Sequence, residues 1–323
     1  MIGICLLNMG GPDSLDAIRP FLFNLFSDRY IIRLGPSFLQ RPIAWLIAKK
    51  RAPKSAQNYE LIGGKTPLTE ITIEQAKLLE GRLNEELGPK YGEEFKCVVG
   101  MRYWHPRTPD VLKELKDTGV KKVLGLSLYP HYSRATSGSS IEEFKSCCDS
   151  LGLSWDVIDR FPTHPAYISA LCEVLDEGQK KIGNKDFHLV YSAHSLPKKF
   201  IDEGDPYLED INATIRALES QTGIKGTLSF QSRSGPVKWL EPQTDIHLLE
   251  LVKSGKKRLL CLPISFVSDH IETLYEIDIL FKSIVKEAGG ELFKTPGLNT
   301  RPSFINALYE LVVEKLGENK WLR

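Results

Sequence analysis

A chain of 323 residues exceeds what one hydrophobic core usually organises, so two domains are expected. Its 42 basic and 41 acidic residues leave a net charge of +1, which argues against a polyanion partner such as nucleic acid. Hydrophobic residues at 42% and charged residues at 26% fit an ordinary globular protein, and no apolar run approaches the roughly 18–20 residues needed to span a bilayer.

The opening Met1-Ile2-Gly3-Ile4-Cys5-Leu6-Leu7 has neither a basic n-region nor a small-residue cleavage site, so no secretory leader is expected. The six cysteines show no CxxC spacing, and Cys5 and Cys261 fall inside apolar, strand-like runs. A reducing cytoplasm fits that usage, and a structural zinc site does not.

Short apolar runs alternate with longer amphipathic stretches, which predicts an α/β protein with parallel strands. The expected strands of the first half are 2–8, 97–103, 123–129 and 155–158; those of the second half are 188–192, 226–231, 258–266 and 291–294. Helical patterns cover 72–87, 108–115, 166–181 and 211–222, with a last helix at about 303–316. The halves also rhyme: Lys121–Pro130 and Lys257–Phe266 each run from a basic pair through an apolar strand to a loop and a helix. Two similar Rossmann-like lobes, each a parallel sheet flanked by helices, would then face one another across an active cleft. The expected division is 1–164 and 165–323, with the join near Pro162-Thr163-His164-Pro165 and the last helix able to pack back on the first lobe. In open parallel sheets chemistry gathers at the carboxyl ends of strands, so those ends are the places to search.

The first strand ends in Asn8-Met9-Gly10-Gly11-Pro12, a tight turn whose spacing is neither GxGxxG nor a P-loop. Met9 offers a polarizable thioether suited to a flat aromatic ligand. From Phe21 the chain is dense in large apolar residues, and by Lys49-Lys50-Arg51 it becomes basic. That segment suits core helices, or else a membrane interface or the mouth of an apolar pocket. The third strand runs into Tyr129 and the hydroxyl-rich 132–140 segment, either an anion site or an ordinary helix cap. His194 stands where a buried strand meets its loop, a place for a neutral imidazole that accepts a proton or binds a metal, or for a satisfied structural histidine. Trp239 lies in a proline-flanked loop and must pack in a core or against a flat ligand. After the 258–266 strand, Asp269, Glu272 and Glu276 are spaced to share one face of an α-helix, either a solvated acidic stripe or a cation and proton path. His270 would point elsewhere, as a supporting or structural group.

Taken in order, Leu7–Pro12, Ala48–Pro53, Gly100–Tyr103, Tyr132–Ser140, Ser192–Pro197, Gly204–Tyr207, Gln231–Thr244 and Ser268–Glu272 resemble the blocks of the ferrochelatase family over nearly the whole chain. The resemblance implies a lyase that inserts Fe(II) into protoporphyrin IX, giving protoheme and two protons in the last step of heme biosynthesis. It places the active-site histidine and its partner glutamate on His194 and Glu272, as catalytic and metal-binding residues. It places macrocycle or propionate contacts on Met9, Arg51, Arg102, Tyr103, Tyr129 and Trp239, and a proton or metal path on Asp269 and Glu276. The apolar stretch of about 21–51 resembles the family's active-site lip, which rests on the bilayer in membrane-associated members. Cytoplasmic residence, with peripheral contact to the inner membrane face left open, follows from that likeness, as does a monomer or homodimer.

Asn8-Met9-Gly10 resembles the protoporphyrin branch, since the coproporphyrin branch typically has an aromatic residue at position 9. No cofactor beyond the Fe(II) substrate is expected: the sequence ends at Arg323 without the cysteine-bearing tail of cluster-containing members, and Arg134 takes a site that is cysteine in animal proteins. Three rivals stand beside this reading: a chelatase for another metal or tetrapyrrole, a non-catalytic tetrapyrrole binder, and a phosphate- or nucleotide-binding enzyme leaning on the glycine and serine loops.

Overall fold

The computed structural model describes residues 1–183 and 186–322. It contains two four-stranded parallel sheets, β1 (Ile2–Asn8), β2 (Phe95–Met101), β3 (Lys122–Ser127) and β4 (Ser154–Ile158) in one, and β5 (His188–His194), β6 (Gly226–Gln231), β7 (Arg258–Pro263) and β8 (Glu291–Lys294) in the other. The strand orders are β2-β1-β3-β4 and β6-β5-β7-β8, so the same winding occurs twice. The rhyming segments Lys121–Pro130 and Lys257–Phe266 supply the third strand of each sheet.

Each strand–helix–strand crossover leaves the inner strands covered on both faces, which is why β1 is buried along its whole length as a continuous apolar run. The first core joins Cys5 and Leu7 to Val123, Leu112 and Phe144; the second joins Val190 and Leu259 to Leu248, Ile277 and Phe281. Gly125 on β3 is open enough for Phe144 only because it has no side chain; a Cβ there would sit 2.9 Å from the ring.

The contacts divide the chain into one unit of Met1–Phe161 together with the segment from Asn299 onward, and another of Pro162–Leu298. The sequence put the join at 164/165 and left the last helix able to pack back on the first lobe. In the structure the boundary lies three residues earlier and the terminal helix Pro302–Glu318 belongs to the first unit, where it packs on the helix Leu68–Glu86. Arg82 bonds Asn306 there and stacks on Tyr309 at 4.1 Å.

Strand ends fall short of the expected 103, 129 and 266. Pairing of β2 stops at Met101 and that of β3 at Ser127, and β7 stops at Pro263, whose missing N–H ends a ladder. The segment after β7 winds as a π-helix over Glu272–Phe281 before becoming α-helical at Lys282–Glu287, and a shorter π-turn covers Arg134–Gly138. Among the described residues no helix is long and apolar enough to cross a membrane.

Candidate active site

In a sheet of this order, consecutive connections leave the first strand in opposite directions, and a crevice opens where the first and third strands end. In the second unit those strands are β5 and β7. His194 is the last residue of β5, and Glu272 opens the π-helix that follows β7. The Ile264 N–H donates to the Ser192 carbonyl at 3.0 Å, tying the two strand ends together.

The imidazole of His194 is oriented by its surroundings. Its Nδ1 lies 2.6 Å from the Ser195 carbonyl and donates to it, which leaves Nε2 to face Glu272 Oε1 at 3.5 Å. Its own N–H donates to Ser265 Oγ at 3.0 Å, and its carbonyl accepts from the Tyr207 hydroxyl at 2.9 Å. The second carboxylate oxygen of Glu272 faces Nε2 of His270, again at 3.5 Å, and His270 Nδ1 donates to the Ser268 carbonyl. Phe266 packs edge-on to both imidazoles, at 6.5 Å from His194 and 4.5 Å from His270. Glu272 is thus a carboxylate between two imidazoles, 17% exposed.

Charges in this cluster are set against burial. Burial alone would push the Glu272 carboxyl up, but His194 and His270 together hold it below the usual range, so it stays ionised. Burial disfavours the His270 cation, yet Glu272 raises its pKa overall. Glu276 goes the other way: burial and then the Glu272 charge push it up to about 7. Its Oε2 accepts from Ser232 Oγ at 2.7 Å and Gln231 Nε2 at 3.0 Å, and the same amide reaches the Glu272 carbonyl. One carboxylate is ionised and the next can hold a proton near neutrality.

The expected acidic stripe breaks at Asp269. That residue precedes the helix, and its carboxylate accepts from Lys294 Nζ at 3.1 Å and Thr273 Oγ1 at 2.8 Å instead of joining Glu272 and Glu276. His270 does not point elsewhere as expected: its ring faces Glu272, in keeping with a supporting role. The α-helical spacing misplaced both Asp269 and His270. Among the described residues no group of three or more His, Cys, Asp or Glu side chains forms a preformed metal cage.

Trp239 bridges back onto Pro197, next to the loop carrying His194, and its indole nitrogen is buried without a hydrogen-bond partner. It lines a cavity of about 710 Å³ with Lys198, Arg233 and Lys238, a volume within the usual range for ligand sites. His194 and Glu272 do not line that cavity.

In the first unit, Met9 and Tyr129 follow β1 and β3, at the corresponding strand ends. Gly10 has φ +77°, and a Cβ on Gly11 would lie 2.6 Å from Thr66 Cγ2, so the paired glycines serve a tight turn packed on Thr66. Arg102 is committed to Asp28 at 3.1 Å, Glu143 at 2.7 Å and Ser139. Tyr103, 4% exposed, donates its hydroxyl to the same Asp28. Asp28 ends the helix Ile18–Ser27, so this network anchors the apolar segment to the end of β2. Beyond it, Gln40 holds the turn by donating to the Phe26 and Ile32 carbonyls. Phe38, Leu46 and Trp45 stand 75%, 59% and 44% exposed, with Arg19 and Lys49 flanking the Trp45 ring and Arg51 over Phe26.

Comparison with known proteins gives the family. The family model described as ferrochelatase matches residues 1–316. Proteins named ferrochelatase from Geotalea daltonii and Geotalea uraniireducens are 51% and 52% identical, over 98% and 96% of this chain and equal shares of their own. That from Gloeothece citriformis is 44% identical over 99% of this chain and 84% of its own. Among solved structures, SirB from Bacillus subtilis with Fe3+ aligns over 99% of this chain and 97% of its own, with a TM-score of 0.59 and 12% identity, a likeness of fold. CbiX, described as the terminal enzyme for siroheme biosynthesis in denitrifying bacteria, aligns over 97% of this chain and 98% of its own, with a TM-score of 0.51 and 12% identity. On the family match and those identities, this chain belongs to the ferrochelatase family.

Proposed function

We propose that this protein is a lyase that inserts Fe(II) into protoporphyrin IX, in the cytoplasm and as the last step of heme biosynthesis. The observation that carries the reading is the His194–Glu272–His270 cluster at the end of β5 and β7, a proton acceptor beside an ionised carboxylate. The reaction breaks two pyrrole N–H bonds, forms four Fe–N bonds and releases two protons. It requires a pocket complementary to a buckled macrocycle, because a planar ring keeps its nitrogen lone pairs from the ion.

His194 takes the pyrrole protons through Nε2, the nitrogen left free by the Nδ1 bond to Ser195. The negative charge of Glu272 stabilises the imidazolium, and imidazole with carboxylate is a plausible donor set for a divalent ion held in transit. Glu276, with its raised pKa, receives the proton next, bonded to Ser232 and Gln231 on its way to solvent. Fe(II) enters as substrate, and no resident cofactor is needed.

The cationic rim of the Trp239 cavity suits propionate carboxylates, and its indole suits a flat ring. Met9 and Tyr129 keep the macrocycle roles implied by the resemblance. Arg102 and Tyr103 act through the Asp28 network, holding the apolar segment in place. The exposed Phe38, Trp45 and Leu46 with adjacent cations support peripheral contact with a lipid surface.

The test is anaerobic: protoporphyrin absorbance is followed after Fe(II) addition. His194→Ala and Glu272→Gln should each cut turnover by about 10²–10⁴-fold, the usual share of general acid–base catalysis, with porphyrin affinity retained. Near-normal turnover in either variant removes that residue from the reaction. Parallel trials with Co(II), Ni(II), Zn(II) and sirohydrochlorin distinguish the other chelatases, and binding without consumption identifies a carrier.

A further inference from the structure

Lys294 is the last residue of β8, and its ammonium is almost enclosed, the side chain being 9% exposed. An ammonium has three hydrogens to donate, and three oxygens meet it: Asp269 Oδ1 at 3.1 Å, Asp278 Oδ2 at 2.6 Å and the Thr273 carbonyl at 3.4 Å. All three belong to the segment that carries His270, Glu272 and Glu276. Thr273 and Asp278 are five residues apart, the spacing of an i→i+5 bonded turn. In an α-helix, at 100° per residue, they would be swung about 140° apart and one ammonium could not serve both. In the wider π-turn, at roughly 82° per residue, they come to within about 50° of one another.

We propose that Lys294 is a positioning residue that selects the π register of Glu272–Phe281, and through it the place of Glu276 beside Glu272 in the metallation site. The inference rests on the function proposed above. The ammonium contacts none of His194, Glu272 or Glu276, so its effect passes through the helix backbone. Removing it takes away the cation that Asp269 and Asp278 share, so the repulsion between these two carboxylates is no longer offset at that point. The cheapest separation is a return to i→i+4 bonding, which turns everything beyond Thr273 around the axis. Glu276 then leaves Ser232 and Gln231, while β5 and His194 stay where they are. Ile277 and Phe281, which pack into the core of the second unit, limit how far the helix turns, so a shift in the site is expected rather than unfolding.

Three variants test this in the full chain: Lys294→Gln, Lys294→Arg and Asp278→Asn. Lys294→Gln should lower kcat at least tenfold and raise the KM for Fe(II), with porphyrin binding by fluorescence quenching within twofold of wild type. Lys294→Arg should restore most of the loss, because a guanidinium can span two carboxylates. Asp278→Asn, which keeps the Lys294–Asp269 pair, should move the same two constants in the same direction by less. A crystal structure of Lys294→Gln should show i→i+4 bonds replacing i→i+5 bonds after Thr273. The proposal is overturned if that structure keeps the π register, if Lys294→Gln metallates porphyrin like wild type, or if Lys294→Arg fails to rescue. It is also overturned if Lys294→Gln does not fold and Asp278→Asn leaves both constants unchanged. Absence of turnover in the wild-type protein would instead refute the function on which the inference stands, and the register comparison would still be read from the structures.

Discussion

Glu272 and Glu276 stand four positions apart and titrate differently: two imidazoles keep the first ionised, while burial and then the Glu272 charge push the second up to about 7. The raised pKa of Glu276 makes folding proton-linked. In the unfolded chain this carboxyl releases its proton near 4.5, and in the folded one near 7, so between those values the folded state binds more proton. Stability from this group therefore falls as pH rises from about 4.5 through about 7 and is flat outside that window. The whole effect is at most on the order of 3 kcal/mol. Urea unfolding at pH 5.5 and pH 8 should show wild type losing more stability across that interval than Glu276→Gln; parallel curves would mean the carboxyl is not buried in its neutral form. At this scale the sequence exposed His194, Glu272 and Glu276 as strand-end and helix-start residues. It hid His270, whose direction depends on the winding of the backbone, and it hid the commitment of Arg102 to Asp28, two residues separated by 74 positions.

Elements were legible where their signal is local. β1, β6 and β8 have the limits that their apolar runs suggest, and the helix Thr108–Asp117 starts at the expected threonine. The π-helix was not legible, since its register is chosen by Lys294 from a strand beyond its own end and by core contacts. A faint trace is the spacing of Thr273, Ile277, Phe281 and Val285, buried at every fourth position instead of every 3.6. Close packing of strand on helix gives a separate prediction. Gly125→Ala should force Phe144, which is fully buried, out of its rotamer and cost roughly 1–3 kcal/mol in thermal or urea unfolding. A neutral result would show that the ring has room to retreat.

At the scale of the whole molecule, the alternation of strand and helix announced two α/β units and left the last helix able to return to the first, and the contacts that decide its place are recorded in no local pattern. Leu308, fully buried on that helix, belongs to the first unit. Leu308→Ala should cost about 2–5 kcal/mol, and hydrogen exchange should quicken at β1 and β3 while β5 and β7 keep their protection. Equal loss in both sheets would show that the units unfold as one.

The repeated winding pairs positions across the two units. Leu128 donates to the Leu7 carbonyl as Ile264 donates to that of Ser192, so Leu7 is the counterpart of Ser192 and, two residues on, Met9 is the counterpart of His194. One scaffold position thus carries a basic nitrogen in one unit and a soft sulfur in the other.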